Sequence, residues 1–562
     1  MQKLGWDYID VIFFTGDAFV DHPSFGTACI ARYLEKAGYR VAVVPQPNWR
    51  DDLRDFRKLG APRLYFAVNS GAMDSMVNHY TAGKRLRHED AYTPEGKFGQ
   101  RPDYAVTVYT KILKQLWPEV PVVIGGIEAS LRRLTHYDYW QDRLFPSILV
   151  DSGADWLCYG MGERTMLQLT RAIESGRNIR QIEKIPQIGF YRKGSCKAGD
   201  VLMLNSFERC CSDPVAFAQN FHQIETHANM LRPQTIIEPV ADGYVQINPT
   251  LPPATREEMD SFWDLPFTRR PHPRYKDKRI PAFDMIRDSI ITHRGCFGGC
   301  NFCTIAAHQG KFIQSRSMES IVAEVRNLAA DPDFHGNISD LGAPTANMYG
   351  MGGKDRELCS NCRRKSCLYP APCRNLDRSH ARLLELYSKV LSVKGVRHAY
   401  IGSGIRYDLF LSEEGFVDST SRPYLKELVL NHTSGRLKVA PEHTEAKVLD
   451  YMAKPSFKLF LRLRKEFDAI NREAGTHTEL VPYFISSHPG CTQADMEALS
   501  RNPGLKGIWM DQVQDFMPTP MTTSSVMFYT GLDPRTMKPV YVEKDPERKR
   551  AQKSMFFKKG KK

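Results

Sequence analysis

The chain has 562 residues, 42% of them hydrophobic, which is enough for three or four ordinary globular domains. No apolar run approaches the roughly 18 residues that span a bilayer, and the start, Met1-Gln-Lys-Leu-Gly-Trp-Asp-Tyr8, lacks the apolar core of a secretion signal. A cytoplasmic protein without a membrane segment is expected. The net charge of +13 is unevenly spread: Glu547–Lys562 carries eight Lys/Arg against one acid, +7, which leaves +6 for the remainder. The basic end reads as a flexible tail over 536–562 that offers phosphate affinity, and so a nucleic-acid contact, through counterion release.

The first third alternates short apolar strands with helices. Ile9–Phe14, Val41–Val44, Leu64–Val68, Val120–Ile124 and Trp156–Tyr159 read as strands; Gly26–Ala37, the region near Asp103–Trp117 and a segment from about Glu163 read as helices. Apolar strands separated by helices predict a parallel sheet covered on both faces, a doubly wound Rossmann-like α/β domain over 1–180. Ligands of such sheets lie beyond the carboxyl ends of the strands. The loops expected there are polar or glycine-rich: Gly16-Asp17, Asn69-Ser70-Gly71, Gly125-Gly126 and Gly160-Met161-Gly162-Glu163.

Residues 181–283, with a strand-like patch at Gly243–Ile247 and Pro- and Arg-rich stretches, read as an irregular connecting region. The alternation resumes from about 284 to 535. Strands are expected at Ile290–Thr292, Ile338–Leu341, His398–Ile401, Leu437–Ala440, Glu479–Ile485 and Ile508–Val513, and helices at Met318–Leu328 and Ser379–Val393. This is the pattern of a β/α barrel, whose chemistry belongs at the strand carboxyl ends.

Thirteen cysteines without a secretion signal point to reduced thiols and metal chemistry. Seven fall in two groups between Cys296 and Cys373. In His293-Arg-Gly-Cys296-Phe-Gly-Gly-Cys300-Asn-Phe-Cys303, three thiolates leave a single ion short of a fourth protein ligand, but they can hold three irons of a cubane and leave one iron open. The second group, Cys359-x2-Cys362-x4-Cys367-x5-Cys373 in an insert over 355–375, supplies four thiols, enough to enclose a structural zinc or an auxiliary iron–sulfur cluster.

The three-cysteine loop after a strand, with an aromatic residue before the last cysteine, resembles the radical S-adenosylmethionine (SAM) superfamily. The resemblance implies a [4Fe–4S] cluster on Cys296, Cys300 and Cys303 whose open iron is chelated by SAM. Reductive cleavage would then give a 5′-deoxyadenosyl radical that abstracts hydrogen from a substrate. It also implies a reductant such as flavodoxin or ferredoxin, and it places Phe302 against the adenine. Gly342-Ala343 stands where the superfamily often has a Gly-Gly-Glu turn for the SAM amino group, here without the acid. The segments bearing Ser403, Arg406 and Glu442 resemble strand ends that meet the ribose or carboxylate. The catalytic residues and the substrate stay open.

More narrowly, Gly16-Asp-Ala-Phe-Val-Asp-His-Pro-Ser-Phe-Gly26, Tyr92-Thr-Pro94, Leu265-Pro-Phe-Thr-Arg-Arg-Pro-His-Pro273, Arg294-Gly-Cys-Phe-Gly-Gly-Cys300 and Ala343-Pro-Thr-Ala-Asn-Met348 are similar to the YgiQ family of radical SAM proteins. The amino-terminal domain is also similar to the cobalamin-binding domains fused to such barrels, which use Asp-x-His-x-x-Gly with the histidine as lower cobalt ligand. Here the loop reads Asp21-His22-Pro-Ser-Phe-Gly26 with a different spacing, so cobalamin is not expected and His22 is assigned a structural or substrate-facing role. A radical enzyme acting on a small molecule, one modifying RNA or protein, and a non-enzymatic iron–sulfur nucleic-acid-binding or redox-sensing protein are the functional alternatives.

Overall fold

The computed structural model describes residues 4–196, 199–508 and 512–557. By contact density the chain divides into two compact units. The first comprises Met1–Ala254, Ser261–Arg287 and Thr519–Met521; the second comprises Thr255–Asp260, Asp288–Pro518 and Thr522–Lys562.

The first unit is built on a nine-stranded sheet. From one edge it runs Val41–Pro45, Val11–Thr15, Tyr65–Asn69, Val122–Gly125, Trp156–Cys158, Ile188–Lys193, Gly243–Ile247, Thr235–Val240 and Val201–Met203. The first five are parallel, in chain order 2-1-3-4-5, the doubly wound arrangement expected. Alternate residues of these strands feed two separate cores: Ile12, Phe14, Phe66, Val68 and Ile124 on one face, and Val11, Phe13, Tyr65, Ala67 and Val123 on the other. That is why these strands read as unbroken apolar runs.

The reading of 181–283 as irregular is corrected. Ile188–Lys193, Gly243–Ile247 and Thr235–Val240 continue the sheet antiparallel, and helix Pro214–Ala228 lies in sequence between Val201–Met203 and Thr235–Val240. The strand Thr-Ile-Ile-Glu-Pro-Val was masked by Glu238 and Pro239, residues that ordinarily mark a non-strand. Glu238 is nevertheless fully buried, with one carboxylate oxygen accepting from the Thr135 amide at 2.9 Å.

The second unit presents successive parallel strands of a partial (β/α) barrel. Ser289–Ile291 pairs with Asp340–Gly342, Asn337–Ile338 with His398–Ala399, Arg436–Glu442 with Glu479–Ser486, and the last of these with Gln512–Asp515. A parallel bridge from Ile405 to Val439 links the two halves. Helices Met318–Ala329, Ala381–Leu391, Ser421–Asn431 and Phe457–Ala474 pack their apolar faces on one core with Ile290, Leu341, Val439 and Phe484. The expected strand over 508–513 is seen as Gln512–Asp515; residues 509–511 lie outside the described residues.

The carboxyl-terminal stretch is corrected as well, because it is not a free tail throughout. Asp545 caps helix Pro546–Ser554, Gln552 is fully buried with its side-chain oxygen accepting from Ser487 Oγ at 3.0 Å, and the Phe556 ring lies tilted 5.7 Å from that of Phe484 in the core. The basic run at 558–562 lies outside the described residues. No described helix is long and apolar enough to cross a membrane.

Burial pushes Glu238 up to about 7, with the Thr135 hydrogen bonds only partly offsetting it. A carboxyl that binds its proton more tightly folded than unfolded makes the folded state the greater proton binder, so stability falls as pH rises from about 4.5 to about 7. Glu238→Gln is therefore expected to lose less stability than wild type across that interval, by on the order of 2 kcal/mol, read from urea titrations at pH 5 and pH 8. Parallel pH profiles for the two proteins would refute the assignment.

Candidate functional site

The cluster loop leaves the barrel directly after Ser289–Ile291. His293–Arg294 pairs antiparallel with Gln314–Ser315, and the loop re-enters regular structure at helix Ile305–Gln309. Three glycines let it close. Gly295 has φ +91°, and a Cβ there would stand 2.4 Å from the Phe312 carbonyl oxygen. Gly299 has φ +64° and faces Ser366 Cβ at 2.7 Å, and a Cβ on Gly298 would meet the Arg406 guanidinium at 2.4 Å.

Within the loop Cys296 is buried, and Cys300 and Cys303 are half-buried. The Gly298 amide donates to Cys296 Sγ at 3.4 Å, and Thr345 Oγ1 lies 3.3 Å from the same sulfur. Burial, reinforced by the neighbouring cysteines, pushes the Cys303 thiol up to about 12. Cys296 is raised by burial too, with Arg406 opposing. Such thiols stay neutral until a metal displaces their protons. Among the described residues, neither cysteine group is drawn to the spacing of ligands around an ion.

The residues expected around SAM are distributed as follows. Arg406 reaches the cluster loop itself, its Nη1 donating to Cys300 Sγ at 3.2 Å. Its main chain is locked by Asn347, which accepts from Arg406 N at 2.8 Å and donates to Arg406 O at 2.9 Å. Asp408 receives its Nε at 3.0 Å and Nη2 at 2.5 Å. Burial works against the guanidinium charge, but Asp408 and the neighbouring cysteines more than offset it and hold its pKa well above the ordinary value.

Glu442 ends its strand with φ +67°, a left-handed conformation strained for a residue with a side chain, beside a register shift between Val439 and Glu442. Its carboxylate is buried 3.7 Å from Lys454 Nζ and electrostatically felt by Cys303. Burial raises its pKa, with Lys454 and Arg406 partly offsetting.

Ser403 is engaged differently from the expectation. Its hydroxyl donates to Asp340, whose Oδ1 also accepts from the Gly402 and Ser403 amides at 2.9 and 3.1 Å. Gly342 is pressed against this pair, 3.1 Å from Asp340 Oδ1 and 3.4 Å from Ser403 Oγ for a built Cβ, with the buried Ala343 following. An acid therefore does stand at this strand, two residues ahead of the turn rather than in it, and it caps the next loop. Phe302 is half-buried on the barrel core with its ring edge-on to His488 at 6.2 Å, and Asn301 beside it anchors the loop to Tyr451 O at 2.8 Å.

Thr345, Asn347, Asp408 and Lys454 belong to the site although sequence reasoning gave them no role. Thr345 and Asn347 lie within a motif already quoted, Asp408 follows the Ile405 bridge and Lys454 follows helix Ala446–Met452, but nothing in residue type alone marks any of them. His293 is buried, with Nε2 on the Thr345 carbonyl at 3.1 Å and Nδ1 against Thr292 Oγ1 at 2.8 Å; burial lowers its pKa to about 3, so it acts as a neutral strut.

The second cysteine group packs on the same loop. Cys367 N donates to Phe297 O at 3.0 Å and Ser366 Oγ to Gly298 O at 2.8 Å, and Cys367 and Cys373 join a small core with Cys296 and Phe297.

A partial parallel barrel with three cysteines on the loop after its first strand, joined to a doubly wound domain, defines a radical SAM protein. Residues 1–289 match the family model described as Radical SAM N-terminal, and 511–559 match a domain of unknown function, DUF3362. The chain belongs to the UPF0313 family. It is 52% identical to the UPF0313 protein of Bacteroides thetaiotaomicron over 99% of this chain and 92% of that one, and 50% identical to that of Porphyromonas gingivalis over 99% and 89%. The family likeness expected from the motifs is thereby borne out.

Among solved structures, the fold is like that of the radical SAM methyltransferase TsrM from Kitasatospora setae with cobalamin and a [4Fe–4S] cluster bound. The TM-score is 0.51 at 16% identity, covering 93% of this chain and 74% of that one. It is also like that of the cobalamin-dependent SAM radical enzyme OxsB with aqua-cobalamin bound, with TM-score 0.51 at 10% identity, covering 92% and 54%. The expectation that cobalamin is not bound is therefore corrected, because proteins of this fold carry it. The rejection rested on the spacing of one loop, and the fold does not depend on that spacing. His22 itself is completely buried, with Nδ1 accepting from the Ser24 amide at 3.1 Å, a structural placement.

Gly295→Ala places a methyl group into the Phe312 carbonyl at a left-handed φ, at a cost of about 1–3 kcal/mol to the closed loop. Reconstituted Gly295→Ala protein is expected to hold less than about half the iron of wild type, with far-ultraviolet circular dichroism unchanged. Full iron content in the variant would show that the loop does not need this closure.

Proposed function

We propose that this chain is a radical SAM enzyme in which Cys296, Cys300 and Cys303 ligate a [4Fe–4S] cluster, with SAM bound by Phe302, the Gly342-Ala343 turn, Ser403, Arg406 and Glu442. The observation that carries the reading is the approach of Arg406 to Cys300 at 3.2 Å from a separate strand end, with the buried Glu442 close enough to act on Cys303. When bound, the cluster supplies the electron that cleaves SAM to a 5′-deoxyadenosyl radical.

The chain's own residues prepare that site. Arg406, fixed by Asp408 and Asn347, offsets thiolate charge without needing to move. Neutral His293 holds the Thr345 carbonyl and so the hydroxyl that faces Cys296. Glu442 and Lys454 hold opposite charges out of water beside the loop, suited to the amino and carboxylate ends of a zwitterion. A flavodoxin- or ferredoxin-type reductant is the proposed electron donor.

A second reading adds corrinoid-dependent methyl transfer, supported by the fold shared with TsrM and OxsB. His22 is held to its own loop through Nδ1, while its buried Nε2 has no hydrogen-bond partner among the described residues. Equimolar corrinoid kept through gel filtration after loading with hydroxocobalamin would support this reading, and its complete loss would remove it.

The experiment for the main reading is anaerobic. Reconstituted protein with SAM and dithionite is expected to release 5′-deoxyadenosine, and Cys303→Ala none. Arg406→Ala is expected to slow release by about 10- to 100-fold while retaining iron, the scale of one lost charge-assisted contact. No 5′-deoxyadenosine from protein with an intact cluster would transfer the proposal to a redox-sensing or nucleic-acid-binding role.

A further inference from the structure

Lys311 follows the cluster loop and is only 3% exposed. Its ammonium donates to the Arg364 carbonyl at 2.5 Å, stands 5.6 Å from the Phe312 ring centre and meets Cys362 Sγ at 3.7 Å. It is also felt electrostatically by Cys359 and Cys367. Among the described residues no carboxylate pairs with it. A buried ammonium facing cysteine side chains and a carbonyl, with no carboxylate beside it, is costly unless a negative charge is supplied there.

The four cysteines are near enough to act electrostatically on one another, and tight local turns hold them in two pairs. Cys359 lies in helix Arg356–Ser360, and Cys362 N donates back to Cys359 O at 3.2 Å, a tight turn between the first two cysteines. Cys373 N donates to Cys367 O at 2.7 Å, a second tight contact between the last two. Gly353 lies so close that a built Cβ would be 2.3 Å from Cys359 Sγ, and Asn375 Nδ2 donates to that sulfur at 3.4 Å. Amide donors on sulfur are the usual support of a metal thiolate.

We propose that Cys359, Cys362, Cys367 and Cys373 hold a second, closed metal centre, four thiolates with no open position, which clamps the loop that carries Cys296, Cys300 and Cys303. Each thiol releases its proton to solvent as it binds. Four thiolates around Zn²⁺ or around an oxidised [4Fe–4S] unit leave a net charge of about −2, the countercharge that Lys311 faces.

The clamp acts through Lys365 and Ser366, between the two middle ligands, and through Cys367 itself. Lys365 Nζ donates to Asn301 Oδ1 at 2.7 Å, Ser366 Oγ to Gly298 O at 2.8 Å, and Cys367 N to Phe297 O at 3.0 Å. Fixing Cys362 and Cys367 on one metal fixes the four residues between them, and of these Lys365 and Ser366 touch the first loop, as Cys367 itself does.

The proposal does not depend on SAM chemistry, and the test separates the two. Full-length C296A/C300A/C303A protein, purified anaerobically and offered either zinc or iron with sulfide, is measured for metal and acid-labile sulfide. Retention of about one zinc, or about four iron with four sulfide, per chain is expected, and either result supports the centre while identifying its metal. Adding C362S/C367S is expected to remove that metal.

In the background with an intact first loop, C362S/C367S is expected to lower iron retention severalfold, and Lys311→Met to lower it without removing any ligand. Should the triple variant fail to fold, the same count is the difference between wild type and C362S/C367S. Metal below about a tenth of an equivalent in the folded triple variant, or no difference between wild type and C362S/C367S, overturns the proposal.

Discussion

The space left by three missing side chains governs the centre of the second unit. Gly295, Gly298 and Gly299 are each in contact with something that a Cβ would strike: a carbonyl, a guanidinium and a serine. With the loop drawn in this tightly, Cys296 is buried, Arg406 lies against Cys300, and Ser366 lies against the Gly298 carbonyl. A larger residue at any of the three would act on several partners together, because each glycine faces a different neighbour. The loop is therefore as much a packing element as a set of ligands.

Two buried opposite-charge pairs border this loop, Arg406 with Asp408 and Lys454 with Glu442. Buried pairs of this kind commonly contribute little net stability, because desolvating both ions costs about as much as their attraction returns. Their presence needs another explanation, and a cluster with thiolate ligands and a zwitterionic cosubstrate supplies one. Fixed charges that are already desolvated pay no reorganisation when the ligand arrives. The strained φ of Glu442 fits the same account, since strain of that kind persists where the surroundings over-determine a functional side chain.

Much of this was legible in the chain. The five parallel strands announced themselves because both faces of each are buried, and the three cysteines because their spacing suits a cubane. The antiparallel extension of the sheet was not legible, since Glu238 and Pro239 interrupt its apolar pattern, and only the tertiary bond from Thr135 makes a buried carboxyl tolerable there. The carboxyl-terminal helix was hidden for a related reason: its composition is that of a solvated tail, and contacts such as those of Gln552, Lys553 and Phe556 tie it down. Around the loop, the resemblance of strand-end segments pointed to Arg406 and Glu442, whereas Asn347, Asp408 and Lys454 lie in contact with them and carry no signal of their own. Ser403, placed by resemblance, has its hydroxyl bound to Asp340, a partner that the resemblance did not indicate.

The corrinoid question shows where a motif stops being evidence. The Asp-x-His-x-x-Gly spacing describes one way of supplying cobalt with a ligand, and its absence excludes that way alone. In the first unit the chain order 2-1-3-4-5 puts a switch point between Val11–Thr15 and Tyr65–Asn69, the place where such sheets take their ligands. The loops that leave this point are already closely packed: a Cβ at Gly71 would overlap the Asp17 carboxylate, which is held by Arg101 at 2.8 Å, and Arg101 in turn holds Asp90 at 3.0 Å. Burial pushes Asp17 up to about 6, with Arg101 opposing. A ligand at this edge would therefore meet a floor of side chains already engaged with one another, two carboxylates sharing one guanidinium. Such a floor offers shape and backbone more readily than free ligand atoms, so specificity in this unit has to come from the outline of the loops, not from a single coordinating residue.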